Sequence, residues 1–359
     1  MYTSFTVRNY RCFEELELTG LKRINLVAGR NNVGKTALLE ALFLHIGAYN
    51  PTLALKVEAF RGLEFIKVEL TSWAEAPWSS LFPDFDSAKT IELVGRDTSR
   101  GRSSVRISVP DQEPQVAPVP DAGPSAYAFV RDEPAGYERF PALLLEHKGP
   151  RDSQTYQLRL GPDLQVRPTP PPPPFPGVFL GARNRVPPSE DARRFNDLQM
   201  AGREHVVLPA LRLLEPRLKR LTLGITRGVT TLHGDIGLSR LLPLPDMGEG
   251  MVRAASLVLA IASSPGGVVL IDEIENGLHH SLLGPIWHAL GEVCAAADVQ
   301  LFATTHSWEN IVAAHDILGR GREAVLELMR LDRVDGSIRA VRYSPRLLQA
   351  AIEGAVEVR

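Results

Sequence analysis

NLVAGRNNVGKTALLEAL, residues 25–42, holds an apolar strand, a loop with two glycines and a lysine, and an apolar helix. Within it Gly29-Arg30-Asn31-Asn32-Val33-Gly34-Lys35-Thr36 fits the pattern G-x-x-x-x-G-K-[ST] in full, in the strand-to-helix setting that the pattern requires. The mechanics follow from residue types. Glycines let the backbone curl so that its amides face phosphate oxygens, and the helix N-terminus adds partial positive charge. Lys35 then reaches the outer phosphates of a nucleotide and Thr36 offers a hydroxyl to Mg²⁺. Behind the loop, Leu38, Leu42 and Ile46 form one helical stripe with Leu39 and Phe43 beside it, and Gly47 is a natural stop.

A phosphate loop needs acidic partners, and GVVLIDEIENGLHH supplies them. Its apolar run forms a buried strand, so Asp272 and Glu273 emerge at the C-terminal edge, where parallel sheets hold their ligands. Asp272 is expected to hold Mg²⁺ through water, and Glu273 to orient or deprotonate an attacking water. A further strand, VQLFATTHS, delivers Thr304, Thr305 and His306 to the same edge, which makes His306 a candidate sensor of the terminal phosphate. Met247, Gly248, Glu249 and Gly250 precede a long apolar helix, whose free amides can bind a phosphate that need not be the chain's own. His279 and His280 read as surface residues at a helix start, since no third ligand suggests a metal.

The remaining sequence organises around these motifs. Residues 1–50 carry short strands, the phosphate loop and its helix. Residues 51–180 break into β-type runs between Pro-, Gly- and Asp-rich turns, a β-rich insertion. Within it PTPPPPPFPG (168–177) is expected as polyproline II, a stiff spacer or a docking ligand; the apolar VFLGA that follows favours the spacer. Residues 181–245 give helical periodicity, with Ser189 as N-cap, then two short strands. Residues 246–359 alternate helix and strand, which argues for a parallel, helix-covered sheet, and end in strands expected to form an antiparallel appendage.

Bulk numbers narrow the classes. The 359 residues are 44% hydrophobic, enough to bury a substantial core. Net charge is −2, so no global field draws the chain to nucleic acid or an anionic membrane. Two cysteines, Cys12 and Cys294, are too few for a disulfide framework; both are expected in the core, in a cytoplasmic protein. Ala254 to Ile271 carries no charge, but Pro265-Gly266-Gly267 break it into helix, turn and strand, which argues against a membrane span.

Together FTVRNYRCFEEL (5–16), GRNNVGKT (29–36), MGEGMVR (247–253), LIDEIENGLHH (270–280) and ATTHS (303–307) resemble the ABC-type ATPases of the SMC, RecF and OLD group. The likeness is nearest to bacterial OLD-like ATPases without a Toprim domain, which end in a VRYSP…GAVEVR-type tail. The resemblance implies an α/β fold: an ABC-type P-loop NTPase with an N-terminal antiparallel β layer, a parallel core sheet, and inserted β-rich and helical lobes. It implies ATP and Mg²⁺ as ligands. By the same resemblance Arg11 contacts nucleotide, Asp272 and Glu273 are the Walker B carboxylate and the catalytic base, and His306 is the switch histidine. Two heads would sandwich two ATP molecules, each terminal phosphate touched by the partner's Met247–Gly250 loop, which departs from the serine-containing LSGGQ form. A glutamine lid is also expected and has no assigned residue.

The resemblance favours an ATP-dependent homodimer or higher oligomer that regulates a separately encoded effector, such as a Toprim-type nuclease, in a DNA-related or anti-phage defence pathway. A RecF-like DNA clamp is the competing reading. Arg212, Arg217, Lys219, Arg220 and Arg227 face only Glu215 in sequence, with Arg183 and Arg185 nearby, and form either a DNA-contacting face or a solvated surface. A transporter ATPase subunit fits less well without LSGGQ, and a GTPase lacks N-K-x-D.

Overall fold

The fold is described from a computed structural model covering residues 1–61, 76–110, 142–159, 165–183, 185–320, 325–354 and 358. Most of the GAVEVR tail, residues 355–357 and 359, lies outside the described residues. The chain opens with β1 (Tyr2–Tyr10), β2 (Phe13–Thr19), β3 (Ile24–Ala28) and α1 (Lys35–Ile46), which is closed by Gly47. Next come α2 (Leu53–Ala59), β4 (Ile91–Asp97), β5 (Gly101–Ser108), β6 (Ala142–Lys148), β7 (Ser153–Arg159), β8 (Gln165–Arg167) and β9 (Gly177–Leu180). A helical stretch of α3 (Pro188–Met200) and α4 (Val207–Arg212) leads to β10 (Arg220–Thr226), β11 (Val229–Asp235) and β12 (Leu242–Pro243). The last part runs α5 (Glu249–Ala262), β13 (Val268–Ile271), α6 (Leu283–Ala296), β14 (Gln300–Thr304), α7 (Trp308–Ala314), β15 (Leu326–Val334), β16 (Ser337–Tyr343) and α8 (Pro345–Glu353).

Two large sheets enclose α1. The core sheet has the order β16-β15-β3-β14-β13-β9, parallel except for β16 at its edge. The second sheet, β2-β1-β4-β5-β6-β7-β8, is antiparallel. α1 touches β1 and β4 on one side and β9, β13 and β14 on the other. This is why TALLEALFLHI is apolar nearly all round rather than along one stripe. Core strands are buried on both faces and divide their side chains by alternation: Val268 and Leu270 join the core around α1, while Val269 and Ile271 join the core under α5 and α6.

The strands of residues 91–167 extend the N-terminal layer, since β4 pairs with β1. Several expectations are corrected. β15 is not part of an antiparallel appendage. It pairs parallel with β3, because Leu326–Met329 are buried on both faces, and only β16 runs antiparallel. Ser189 is not an N-cap: Pro187 holds that position and Pro188 is the first helical residue, where its missing N–H costs nothing. Cys12 is exposed, whereas Cys294 is buried. The uncharged window resolves into α5, a turn and β13, and no helix among the described residues is long and apolar enough to cross a membrane.

Candidate functional site

β3 runs into the phosphate loop, and two glycines there have no substitute. Gly29 sits at φ 145°, where a Cβ would come within 2.8 Å of the Leu331 carbonyl. Gly34 at φ 96° would press a Cβ against Cys12 Sγ at 2.7 Å. Asn32 also takes a left-handed conformation, φ 62°, which asparagine tolerates better than most residues. The loop therefore curls tightly into α1, whose first-turn amides have no intrahelical acceptor. Asn31, Asn32, Gly34, Lys35 and Thr36 line a cavity of about 1000 Å³ together with Asp272, Glu273 and Asn276.

Residues far apart in sequence meet at its floor. Thr36 Oγ1 donates to Asp272 Oδ2 at 2.9 Å, and Thr304 Oγ1 donates to Asp272 Oδ1 at 2.6 Å. Burial pushes the Asp272 carboxyl up from its usual range, and the Thr304 and Thr36 hydroxyls oppose that shift. Glu273 has φ 47°, a strained position, with its amide bound to Thr304 Oγ1 at 2.8 Å and its carboxylate held by Asn276 Nδ2 at 2.8 Å. Lys35 Nζ donates to the Gly29 and Arg30 carbonyls at 2.6 and 3.0 Å. Burial lowers its pKa, against the pull of Glu273, Asp272 and Glu275.

These observations fit the ligands that the loop implies. Lys35 is a buried cation whose hydrogen bonds go only to neutral carbonyls of a loop shaped for anions, so phosphate oxygens are its natural partners. The paired oxygens of Thr36 and Asp272 suit a hard divalent cation. Among the described residues no group of three or more His, Cys, Asp or Glu is arranged to hold a metal ion by itself; Mg²⁺ takes one or two protein oxygens and completes its shell with phosphates and water.

Other expected residues are placed as follows. His306 is half-exposed, with Nδ1 3.3 Å from Glu275 Oε1 and 3.8 Å from Glu273 Oε1. It stands over the carboxylates but does not line the cavity. Arg11 lines the cavity, yet its guanidinium is held by Glu40 at 2.8 Å, Glu58 at 2.7 Å and Ser80 Oγ at 2.9 Å. Met247, Gly248, Glu249 and Gly250 are absent from the cavity wall; Gly250 faces Leu282, and Glu249 pairs with Arg185 at 2.6 Å. His279 caps a short turn through Ser281, at the surface.

Part of the basic segment is held by internal partners. Arg212 donates to the Leu218 and Lys219 carbonyls, Arg217 pairs with Glu215, and Arg220 lies 3.5 Å from Asp235. Sequence reasoning missed Glu275, which accepts from the Thr305 hydroxyl, the His306 amide and Asn310 Nδ2. It also missed Glu40, fully buried on α1 between Arg11 and Arg61. The signal was available: Glu40 is the one carboxylate in the apolar run TALLEALFLHI.

Comparison with known proteins places the chain in a family. The chain is 20% identical over 340 residues to an ATP/GTP phosphatase of Helicobacter pylori, covering 87% of this chain and 86% of that protein. A shorter match, 28% over 109 residues and 30% of each chain, joins it to the DNA replication and repair protein RecF of Nitrosococcus oceani. Among solved structures, an SMC head bound to the C-terminal winged-helix domain of ScpA superposes with a TM-score of 0.51 at 12% identity, over 98% of this chain and 99% of that one. That likeness concerns the fold, which is the ABC-type P-loop fold of SMC heads. The family described as "AAA domain, putative AbiEii toxin, Type IV TA system" matches residues 24–313. With its phosphate loop, its Asp272–Glu273 edge and this match over most of its length, the chain belongs to that AAA-domain family.

Proposed function

We propose that the chain is an ATP-hydrolysing switch that closes as a dimer around nucleotide and controls a separate effector protein. Lys35 and the first-turn amides of α1 hold the phosphates, while Thr36 and Asp272 hold Mg²⁺, which neutralises phosphate charge when bound. Glu273 orients water against the terminal phosphorus and accepts its proton as the bond to the bridging oxygen breaks and ADP leaves. His306, over the Glu273 and Glu275 carboxylates, reports whether the terminal phosphate is present.

The observation that carries the dimer is a separation. Met247–Gly250 open the exposed start of α5, yet none of them lines the chain's own cavity, so the loop is available to a second copy. Substituting Glu273→Gln should trap the closed state. Light scattering is then expected to give a dimer with Mg-ATP and a monomer with ADP; a monomer under both conditions sinks the proposal. The effector is supported by the toxin-related family description and by no contact within the chain.

The RecF-like clamp keeps the RecF match in its favour. Against it, two of the basic side chains, Arg217 and Arg220, are already paired with Glu215 and Asp235. DNA binding that weakens steeply with salt would revive it.

A further inference from the structure

β9 is the strand that brings the chain back from the proline-rich segment, and it joins the core sheet beside β13. The two pair in parallel, with Leu180 opposite Ile271 and the Asp272 amide donating to the Leu180 carbonyl at 2.9 Å. Gly181, Ala182 and Arg183 therefore leave the sheet at the same edge as Asp272 and Glu273. Arg183 is exposed and lines the cavity with Lys35, Thr36 and both carboxylates.

Three guanidinium groups line this cavity, and they differ in what holds them. Arg11 is fixed by Glu40 and Glu58, and Arg61 by Glu40 at 2.7 Å. Arg183 has no hydrogen bond or ion pair among the described residues, although Asp272 and Glu273 share its cavity. A guanidinium without a partner, placed beside a phosphate-binding loop, suits an anionic ligand and binds phosphate oxygens in a forked geometry.

Sheet order says which phosphate. The strand feeding the phosphate loop is β3, and the order continues β14, β13, β9. Arg183 thus stands on the far side of the Asp272–Glu273 edge from the loop that grips the inner phosphates. A polyphosphate running outward from the loop past Thr36 and Asp272 presents its last phosphate to that side.

We propose that Arg183 contacts the terminal phosphate of a bound nucleoside triphosphate and supplies the binding energy that favours triphosphate over diphosphate, while His306 keeps the switch role given above. The proposal rests on the nucleotide reading of the cavity given above. Calorimetric titration with Mg-ATP and Mg-ADP tests it on the full chain carrying Glu273→Gln to block turnover. R183A is expected to weaken ATP by about tenfold to a hundredfold, the loss of a charge-assisted pair, and to leave ADP unchanged. R183K should recover part of the loss, as a point charge without the fork. Without Glu273→Gln, R183A should also slow hydrolysis by about a hundredfold. Equal weakening of ATP and ADP, or no weakening of either, overturns the assignment of Arg183 while leaving the nucleotide site standing. Failure of the chain with native Arg183 to bind either nucleotide overturns both. An unchanged thermal melt of R183A, expected for an exposed side chain without a hydrogen bond or ion pair among the described residues, excludes misfolding as the cause.

Discussion

The Thr304 hydroxyl donates to Asp272 Oδ1 at 2.6 Å while accepting from the Glu273 amide at 2.8 Å. One side chain on β14 thereby fixes both carboxylates at the end of β13, including the left-handed backbone of Glu273. Thr304→Val keeps the shape and removes both bonds. It should cost about 2 kcal/mol in urea unfolding and lower Mg-dependent hydrolysis. Unchanged stability together with unchanged turnover would show that the carboxylates are held by something else.

Arg11, Glu40, Glu58 and Arg61 form a charged cluster behind the phosphate loop, with the Glu40 side chain at 0% exposure. Removing one member of such a set strands the others. Glu40→Ala is expected to destabilise the chain by about 3–5 kcal/mol, read from the denaturant midpoint. A loss below about 1 kcal/mol, the range of exposed pairs, would contradict the burial.

Two buried groups set opposing pH dependences. His45 Nε2 donates to the Ser103 carbonyl, and Nδ1 accepts from the Tyr2 hydroxyl at 2.7 Å, so the ring is neutral; burial lowers its pKa from 6.5 to about 4. Below pH 6.5 the unfolded chain takes up this proton first, so this term lets stability rise with pH from about 4 to 6.5. Asp191 faces the Ser256 hydroxyl with Arg194, Glu190 and Arg253 around it, and burial raises it from 3.8 to about 6. Here the folded chain holds the proton, so stability is full below pH 3.8 and falls as pH rises through about 6. Each contributes on the order of 3 kcal/mol, so the two nearly cancel. Asp191→Asn should unmask stability that rises with pH across this window, and His45→Gln the reverse. Parallel pH–stability curves for the two variants would rule this out.

Nucleotide should stabilise the fold through Lys35 and the Thr36–Asp272 pair. At a hundredfold excess over Kd, Mg-ATP should add about 2.7 kcal/mol, visible as a raised Tm. Chelating Mg²⁺ should reduce the gain, and Lys35→Ala should remove most of it. A full shift in Lys35→Ala would place the phosphates elsewhere.

How much of this was legible in sequence depended on whether a signal was local. The phosphate loop and the Asp272–Glu273 edge were, because a glycine pattern and an apolar run are contiguous and their roles follow from strand direction. The placement of β15 was not. Its run AVLELMRLDR reads alike in a hairpin or beside β3, and only burial on both faces decides. Arg11 was assigned a ligand by resemblance, since the carboxylates that hold it come from α1 and α2, out of reach of any local pattern. Arg183 was grouped with a basic surface because its distance from Asp272 in sequence hides their shared strand edge.

The interleaving of the core sheet also governs how the chain is made. β3 emerges early, but its neighbours are β14 and β15, so roughly 270 further residues must be synthesised before either flank of β3 is covered, on the order of 15 to 50 s of translation. Throughout that interval an apolar strand and the helix behind it await partners, while the antiparallel layer can assemble around β1 and β4. A nascent chain stopped before residue 300 should therefore expose β3 to chaperones and proteases, and the phosphate loop should become able to grip nucleotide only near the end of synthesis.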